Sequence, residues 1–251
     1  MRALCVIPAR AGSKRIKSKN IMPFLGRPII SYSLDAASDA RVFSEIHVST
    51  ESEEISTVVG ELGYPVSFFR DASLADDHTP LVPVLRWVLS AFKDRGAEFD
   101  SVCLLMSCAP LVLPEDIKNA YKLFEDNGSA HAVLSVAQFR APAEWAYHRD
   151  DTGFIVPREP ETLSLRSQDL EASYYDTGTF AIFPVAQILD ESYQGGGQML
   201  SYVLPEWRAV DIDSEEDVVL VEILAQGIHA RLQSQTFTDS AVPAPDVPKQ
   251  V

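Results

Sequence analysis

Leu4-Cys5-Val6-Ile7-Pro8-Ala9-Arg10-Ala11-Gly12-Ser13-Lys14-Arg15-Ile16-Lys17-Ser18-Lys19-Asn20 is an apolar run that passes directly into a basic loop. Leu4 to Pro8 is apolar at every position, as a strand buried on both faces requires. Short apolar runs then alternate with longer stretches of helical period. Strands are expected at Glu45–Ser49, Val66–Phe69, Ser101–Met106 and Ala130–Ala137. Helices are expected at Ile29–Ala37, Ser52–Leu62, Val82–Phe92 and Pro114–Phe124. Ser52 has the chemistry of an N-cap, and Gly63 that of a stop. This βαβα order predicts an α/β fold, an open and mostly parallel sheet with helices on both faces. In such sheets ligands bind beyond the carboxyl ends of the strands, where the basic loop begins.

The loop stands out because the rest of the chain is acidic. The 251 residues include 21 Lys and Arg against 36 Asp and Glu, a formal charge of −15. Such a surface repels nucleic-acid backbones and anionic membranes, so neither is an expected partner. A nucleotide is compatible only where basic residues converge, as Arg10, Lys14, Arg15, Lys17 and Lys19 do. Gly12 and Ser13 let the backbone turn its N–H groups toward an anion. Arg10, Lys14 and Lys19 add full charges suited to phosphates. The order of residues is neither a Walker loop nor a dinucleotide fingerprint. A plain solvated basic loop is the competing reading.

Apolar residues make up 46% of the chain and charged residues 23%, which excludes disordered and collagen-like classes. No apolar run approaches a membrane span, and Met1–Pro8 is too short in its apolar part for a secretory signal. Cys5, Cys103 and Cys108 have no metal-ligand spacing, and a disulfide framework is not expected. Arg140–Ser173 loses the periodicity and is expected to be an inserted lid or dimerisation arm. Strands at Phe180–Phe183 and Ser201–Leu204 return to the sheet, and Ser214–Ala225 is the last helix. One domain is expected over residues 1–232, with residues 233–251 a disordered tail.

Val210-Asp211-Ile212-Asp213 places two carboxylates on one side of an extended segment, with Ile212 turned the other way. Two carboxylates so spaced suit Mg²⁺, which prefers oxygen ligands and keeps several waters. An acidic helix start is the alternative, since Ser214-Glu215-Glu216-Asp217 follows. That alternative accounts for the later acids better than for Asp211 and Asp213.

Ile7 to Arg15, Lys19-Asn20, and Phe24-Leu25-Gly26-Arg27-Pro28-Ile29-Ile30 resemble the opening of the CMP-sialic acid synthetase (acylneuraminate cytidylyltransferase) family. Leu74-Ala75-Asp76-Asp77-His78-Thr79 resembles its nucleotide-base loop, Arg166-Ser167-Gln168-Asp169-Leu170 its sugar loop, and Val210 to Asp213 its metal site. The resemblance spans residues 3 to 228 and leans toward the pseudaminic acid branch. Tyr175 and Thr179 stand where that branch has His and Gln, and both departures concern the sugar. The resemblance implies a Rossmann-like nucleotide-binding fold of the nucleotidyltransferase (GT-A) type. It implies that CTP and a nine-carbon 2-keto sugar acid give a CMP-sugar and diphosphate, with Mg²⁺, in a cytoplasmic homodimer. By matching position, Arg10, Gly12, Ser13 and Lys14 hold the triphosphate, and Lys19 neutralises the α-phosphate and leaving group. Asn20 contacts the nucleotide, Arg70 meets the cytosine, Asp211 and Asp213 anchor the metal, and Arg166 and Gln168 face the sugar acid. Arg10, Lys19, Asp211 and Asp213 form the catalytic set. Sialic, legionaminic and Kdo-type acids are alternative substrates. A catalytically inactive nucleotide-binding regulator or scaffold is the rival from another class.

Overall fold

The computed structural model describes residues 1–13, 15–76 and 79–233. In chain order the elements are β1 (Ala3–Pro8), β2 (Pro23–Phe24), β3 (Arg27–Pro28), α1 (Ile30–Ala40), β4 (Glu45–Ser49), α2 (Glu53–Glu61), α3 (Leu81–Lys93), β5 (Ser101–Leu105), α4 (Pro114–Asp126), β6 (Val133–Gln138), β7 (Tyr147–Arg149), β8 (Ile155–Pro157), β9 (Tyr174–Pro184), α5 (Val185–Leu189), β10 (Leu200–Val203) and α6 (Glu215–Gln233).

Alternate side chains of β1 feed two cores. Ala3, Cys5 and Ile7 enter one, with Ile30 and Leu34 of α1, Ile55 and Val59 of α2, and Ile117 and Phe124 of α4. Leu4 and Val6 enter the other, with Leu85, Val88 and Phe92 of α3 and Ile188 of α5. Burial on both faces is why the run carries no polar residue. The strand order is β10-β6-β9-β5-β1-β4. β1 runs parallel to β4 and β5, and β10 parallel to β6. β9 lies between β5 and β6 and runs antiparallel to both. The chain is therefore a mostly parallel α/β sheet with helices on both faces. Among the described residues no helix is long and apolar enough to cross a membrane.

Local chemistry sets several boundaries where the sequence puts them. The Ser52 hydroxyl accepts the Ile55 N–H at 3.3 Å, and Gly63 leaves α2 with φ +92°. Leu25 and Gly26 both have positive φ in the tight turn between β2 and β3, as a two-residue hairpin demands.

Three expectations need correction. Val66–Phe69 is not a strand. Phe68 instead stacks on His47 with ring centroids 4.4 Å apart, and the Arg70 N–H bonds the Thr50 carbonyl at 2.8 Å. Side-chain burial, not ladder pairing, holds this stretch beside β4. The strand expected at Phe180–Phe183 begins earlier, at Tyr174, because the chain leaving the arm already pairs with the end of β6. The last helix continues past Ala225 to Gln233. The tail expected to be disordered lies, from residue 234 on, outside the described residues.

Candidate active site

A cleft of about 270 Å³ opens beyond the carboxyl ends of β1 and β5. Its wall carries four basic side chains, Arg10, Arg15, Lys19 and Arg70, against three acidic ones, Asp76, Asp211 and Asp213. In a chain of net charge −15 this is a local reversal of sign. Of the sequence candidates, Arg10, Ser13, Lys19, Asn20, Arg70, Asp211 and Asp213 all meet on this wall. Gly12 is next to it; a Cβ added there would lie 4.0 Å from Arg10 Nη1. Lys14, Asp77 and His78 lie outside the described residues. Arg166 and Gln168 do not line the cleft. They sit on the exposed arm, where Arg166 Nε donates to Asp169 Oδ2 at 3.0 Å.

The loop after β1 is fastened from both sides. Asn20 Nδ2 donates to the Arg10 carbonyl at 2.7 Å, and Asn20 Oδ1 accepts from the Ser107 hydroxyl at 2.7 Å. The Cys108 thiol donates weakly to the Lys19 carbonyl at 3.5 Å. Burial pushes the Cys108 pKa up to about 11, although Lys19 pulls it down, so the thiol stays protonated near neutral pH. Ser18 holds φ 51°, and a single 3₁₀ turn from Lys19 to Ile21 follows. Across the cleft, the Ala11 N–H reaches Glu51 Oε1 at 2.8 Å, and Arg70 Nη2 reaches Glu51 Oε2 at 2.9 Å. The Ser13 N–H bonds the Ala11 carbonyl at 2.9 Å. Two of the loop's amides are thus engaged within the protein. The Ser13 amide is therefore already engaged, and Arg10, Arg15 and Lys19 supply the charged side chains on this wall.

Asp211 and Asp213 approach from the chain segment before α6. Ile212 between them is fully buried in a third apolar cluster with Phe24, Cys108 and Val221. That peg turns both carboxylates toward the cleft, as alternation predicts. Lys19 Nζ lies 3.4 Å from Asp213 Oδ1, and Arg15 Nη1 lies 3.0 Å from Asp213 Oδ2. Burial raises the Asp211 pKa; Lys19 lowers it and Asp213 raises it further. Asp217 has a different task. Its Oδ2 accepts the N–H groups of Asp213 and Ser214 at 2.9 and 2.7 Å, and its own N–H donates to the Ser214 hydroxyl at 3.3 Å. This is a reciprocal helix cap. The acidic helix start thus accounts for Asp217, whereas Asp211 and Asp213 face the cleft.

Beneath Asp211 the sheet is deliberately irregular. The register of β6 against β9 shifts between Leu134 and Val136. The Ser135 hydroxyl takes over the missing ladder bonds, accepting the Phe180 N–H at 3.1 Å. The released stretch lets Gly178 adopt φ +60°, and a Cβ there would meet Asp211 Oδ2 at 3.4 Å. The positive φ is what favours glycine here, since a Cβ would otherwise make only ordinary contact with Asp211. Asp211 and Asp213 suit a hard divalent cation, because a Mg²⁺ site needs one or two carboxylates and takes its remaining ligands from substrate phosphates and water. Among the described residues no group of three or more metal-ligating side chains is found.

Sequence reasoning missed Glu51, Arg15 as a partner of Asp213, Ser107 and Gly178. One signal did exist for Glu51, which lies two residues past the end of β4 at the ligand edge of the sheet.

A sequence model of a family described as cytidylyltransferase matches residues 4–180. The chain is 33% identical over 229 residues to a pseudaminic acid cytidylyltransferase of Campylobacter jejuni, covering 91% of this chain and 98% of that one. It is 32% identical over 233 residues to a CMP-N,N'-diacetyllegionaminic acid synthase of Legionella pneumophila, covering 90% and 97%. Among solved structures, a CMP:2-keto-3-deoxy-manno-octonic acid synthetase complexed with CTP superposes with TM-score 0.69 at 15% identity, over 91% of this chain and all of that one. The sequence matches carry the assignment, the structural match carries the fold, and this chain belongs to the cytidylyltransferase family.

Proposed function

We propose that the protein transfers CMP from CTP to a nonulosonic acid, with pseudaminic acid as the first-choice acceptor. One observation supports this reading above others. Basic and acidic groups drawn from residues 194 positions apart in sequence meet in one cleft, as in the 3.4 Å approach of Lys19 to Asp213. A regulator without catalysis has no use for a carboxylate pair beside a phosphate grip. The curated relatives named above act on pseudaminic and legionaminic acids, which supports the acceptor class.

In this reading the anomeric hydroxyl of the sugar acid attacks the α-phosphorus, and pyrophosphate leaves. Arg10, Ser13 and Lys14 bind the triphosphate, with Gly12 keeping the turn open beside Arg10. Lys19 neutralises charge on the α-phosphate oxygens and the leaving group. Such charge stabilisation is strongest in a site that excludes bulk water. Asn20 holds the loop and borders the nucleotide, and Arg70 binds its base. Asp211 and Asp213 would hold Mg²⁺, which supplies positive charge to the triphosphate when bound. Lys19 and Arg15 keep Asp213 paired and oriented. Arg166 and Gln168 belong to the acceptor end, Arg166 as the carboxylate partner.

The arm supports a homodimer. Its β7–β8 hairpin presents Phe154, Ile155 and Val156 at 74%, 59% and 59% exposure, an apolar tip that one chain leaves uncovered. A second subunit covering this tip would also bring an arm to each acceptor site. We place the enzyme in the cytoplasm, where CTP is available, and treat residues 1–232 as one catalytic domain with 140–173 as its arm.

Pyrophosphate release with CTP, Mg²⁺ and a panel of nonulosonic acids tests the proposal. Release with one acid, abolished by EDTA, is the expected result. CTP binding without release for any acid would favour the non-catalytic rival.

A further inference from the structure

Glu51 bonds both to the loop after β1 and to Arg70 of the cleft wall without itself lining the cleft. Its Oε1 accepts the Ala11 N–H at 2.8 Å, at the start of the loop after β1. Its Oε2 accepts Arg70 Nη2 at 2.9 Å. Arg70 has only 3% of its side chain exposed and Glu51 20%, so water does little to soften this contact. Arg70 Nε is buried with no partner among the described residues. Glu51 thus holds one edge of a guanidinium whose residue also lines the cleft.

We infer that Glu51 is a positioning residue for the nucleotide, whose two carboxylate oxygens fix the separation between Arg70 and the first loop. The inference rests on the nucleotide reading given above. A rigid carboxylate is suited to this task because it accepts two hydrogen bonds in divergent directions and donates none. Its span is set by covalent geometry, so Arg70 and the loop cannot drift apart without losing a charge-assisted bond. Net stability is a poor reason to place such a pair here, since burying two charges consumes most of what their attraction returns. Burial alone would raise the Glu51 pKa; the Ala11 N–H and the Arg70 guanidinium more than offset it and hold the carboxyl below the ordinary range. The brace therefore stays ionised throughout the neutral range.

The test is calorimetric CTP binding and two-substrate kinetics on the full chain and on Glu51→Gln, with melting temperatures read alongside. Gln keeps the shape but can accept only at its oxygen, so either Arg70 or Ala11 meets a second donor. A loss of at least tenfold in CTP affinity is expected, with KM for CTP rising in step. KM for the acceptor should stay within twofold, and kcat should fall less than threefold. Glu51→Asp keeps the charge but loses reach, and should fall between the two. It carries the test should Glu51→Gln not fold. In an Arg70→Met background, Glu51→Gln should cost no further CTP affinity. Equal rises in both KM values, or additivity with Arg70→Met, would mark Glu51 as merely structural and overturn the inference. CTP binding within twofold of the unaltered protein would also overturn it, and it alone. Absence of CTP binding by the unaltered protein would overturn the nucleotide reading and this inference together.

Discussion

The loop from Ala9 to Asn20 and the arm from Arg140 to Ser173 are both irregular, and they are held in opposite ways. The loop is tied to distant elements: to Glu51 after β4, to Ser107 after β5, and to Asp213 before α6. The arm is tied mostly to itself. Trp145 Nε1 donates to the Thr162 carbonyl at 3.2 Å, and the Arg158 N–H reaches the Ala146 carbonyl at 2.8 Å. Its contacts to the body are few, such as Arg140 with Glu206 at 3.0 Å, and its apolar tip faces outward. The difference separates two kinds of binding. The proposed nucleotide end is pre-built by contacts within one chain, which lowers the ordering cost of binding. The residues proposed for the acceptor, Arg166 and Gln168, sit instead on this self-contained limb.

Substitutions on the two sides should break in different currencies. Lys19→Ala should lower kcat by about 10³ while CTP affinity changes little, as for loss of a group that acts on developing charge. Unchanged kcat with raised KM in steady-state assays would reassign Lys19 to simple binding.

The next largest effect concerns acid stability behind the pre-built end. His47 is buried between Phe68 and Phe92, and its Nε2 has no partner among the described residues. Burial, aided by the Arg95 charge, lowers its pKa to about 4. The unfolded chain titrates near 6.5, so it takes up the proton first as pH falls. The contribution of His47 is intact above pH 6.5 and is lost progressively down to about pH 4, in total about 3 kcal/mol. His47→Leu should flatten urea-melt stability over that window. A slope equal to that of the unaltered protein would mean other groups dominate.

Asn20→Ala should cost about 1–3 kcal/mol by removing the bonds of Asn20 to the Arg10 carbonyl and the Ser107 hydroxyl, and it should raise KM for CTP. Arg166→Ala on the arm should leave stability within about 0.5 kcal/mol. It should raise KM for the acceptor about tenfold and spare CTP, as a lost surface carboxylate contact does. If Asn20→Ala and Arg166→Ala had equal effects on stability, the contrast between a braced loop and a self-contained limb would fail.

The same contrast explains what could be read from the sequence. β4 matches its expected range to the residue, and α2 begins and ends where Ser52 and Gly63 say it should, because these signals are local. Burial on two faces made β1 legible from composition alone. Val66–Phe69 misled because an apolar run reports burial and not pairing; Phe68 is buried, yet no ladder forms. In the cleft, Arg10, Lys19, Asp211 and Asp213 were legible as charged groups in unusual settings. Glu51 was not. Its partners lie 40 residues before it and 19 after it, and one of them is a backbone amide with no side-chain signature. Gly178 was hidden for a similar reason, since its positive φ accompanies the irregularity at Ser135, which is not near in sequence.

The antiparallel β9 has a further consequence, in the order of events during synthesis. β4, β1 and β5 are complete once residue 105 has emerged, and they can pair at once. β6 follows, yet it has no seat, because the strand between it and β5 is still to come. Ser101 must wait for Pro184 and Val133 for Ile182. Through that interval the nascent chain carries two open sheet edges, the feature most prone to pairing with a wrong chain. The arm is translated within this same window. A slow ribosome or a crowded polysome should therefore harm the yield of this protein more than its finished stability suggests.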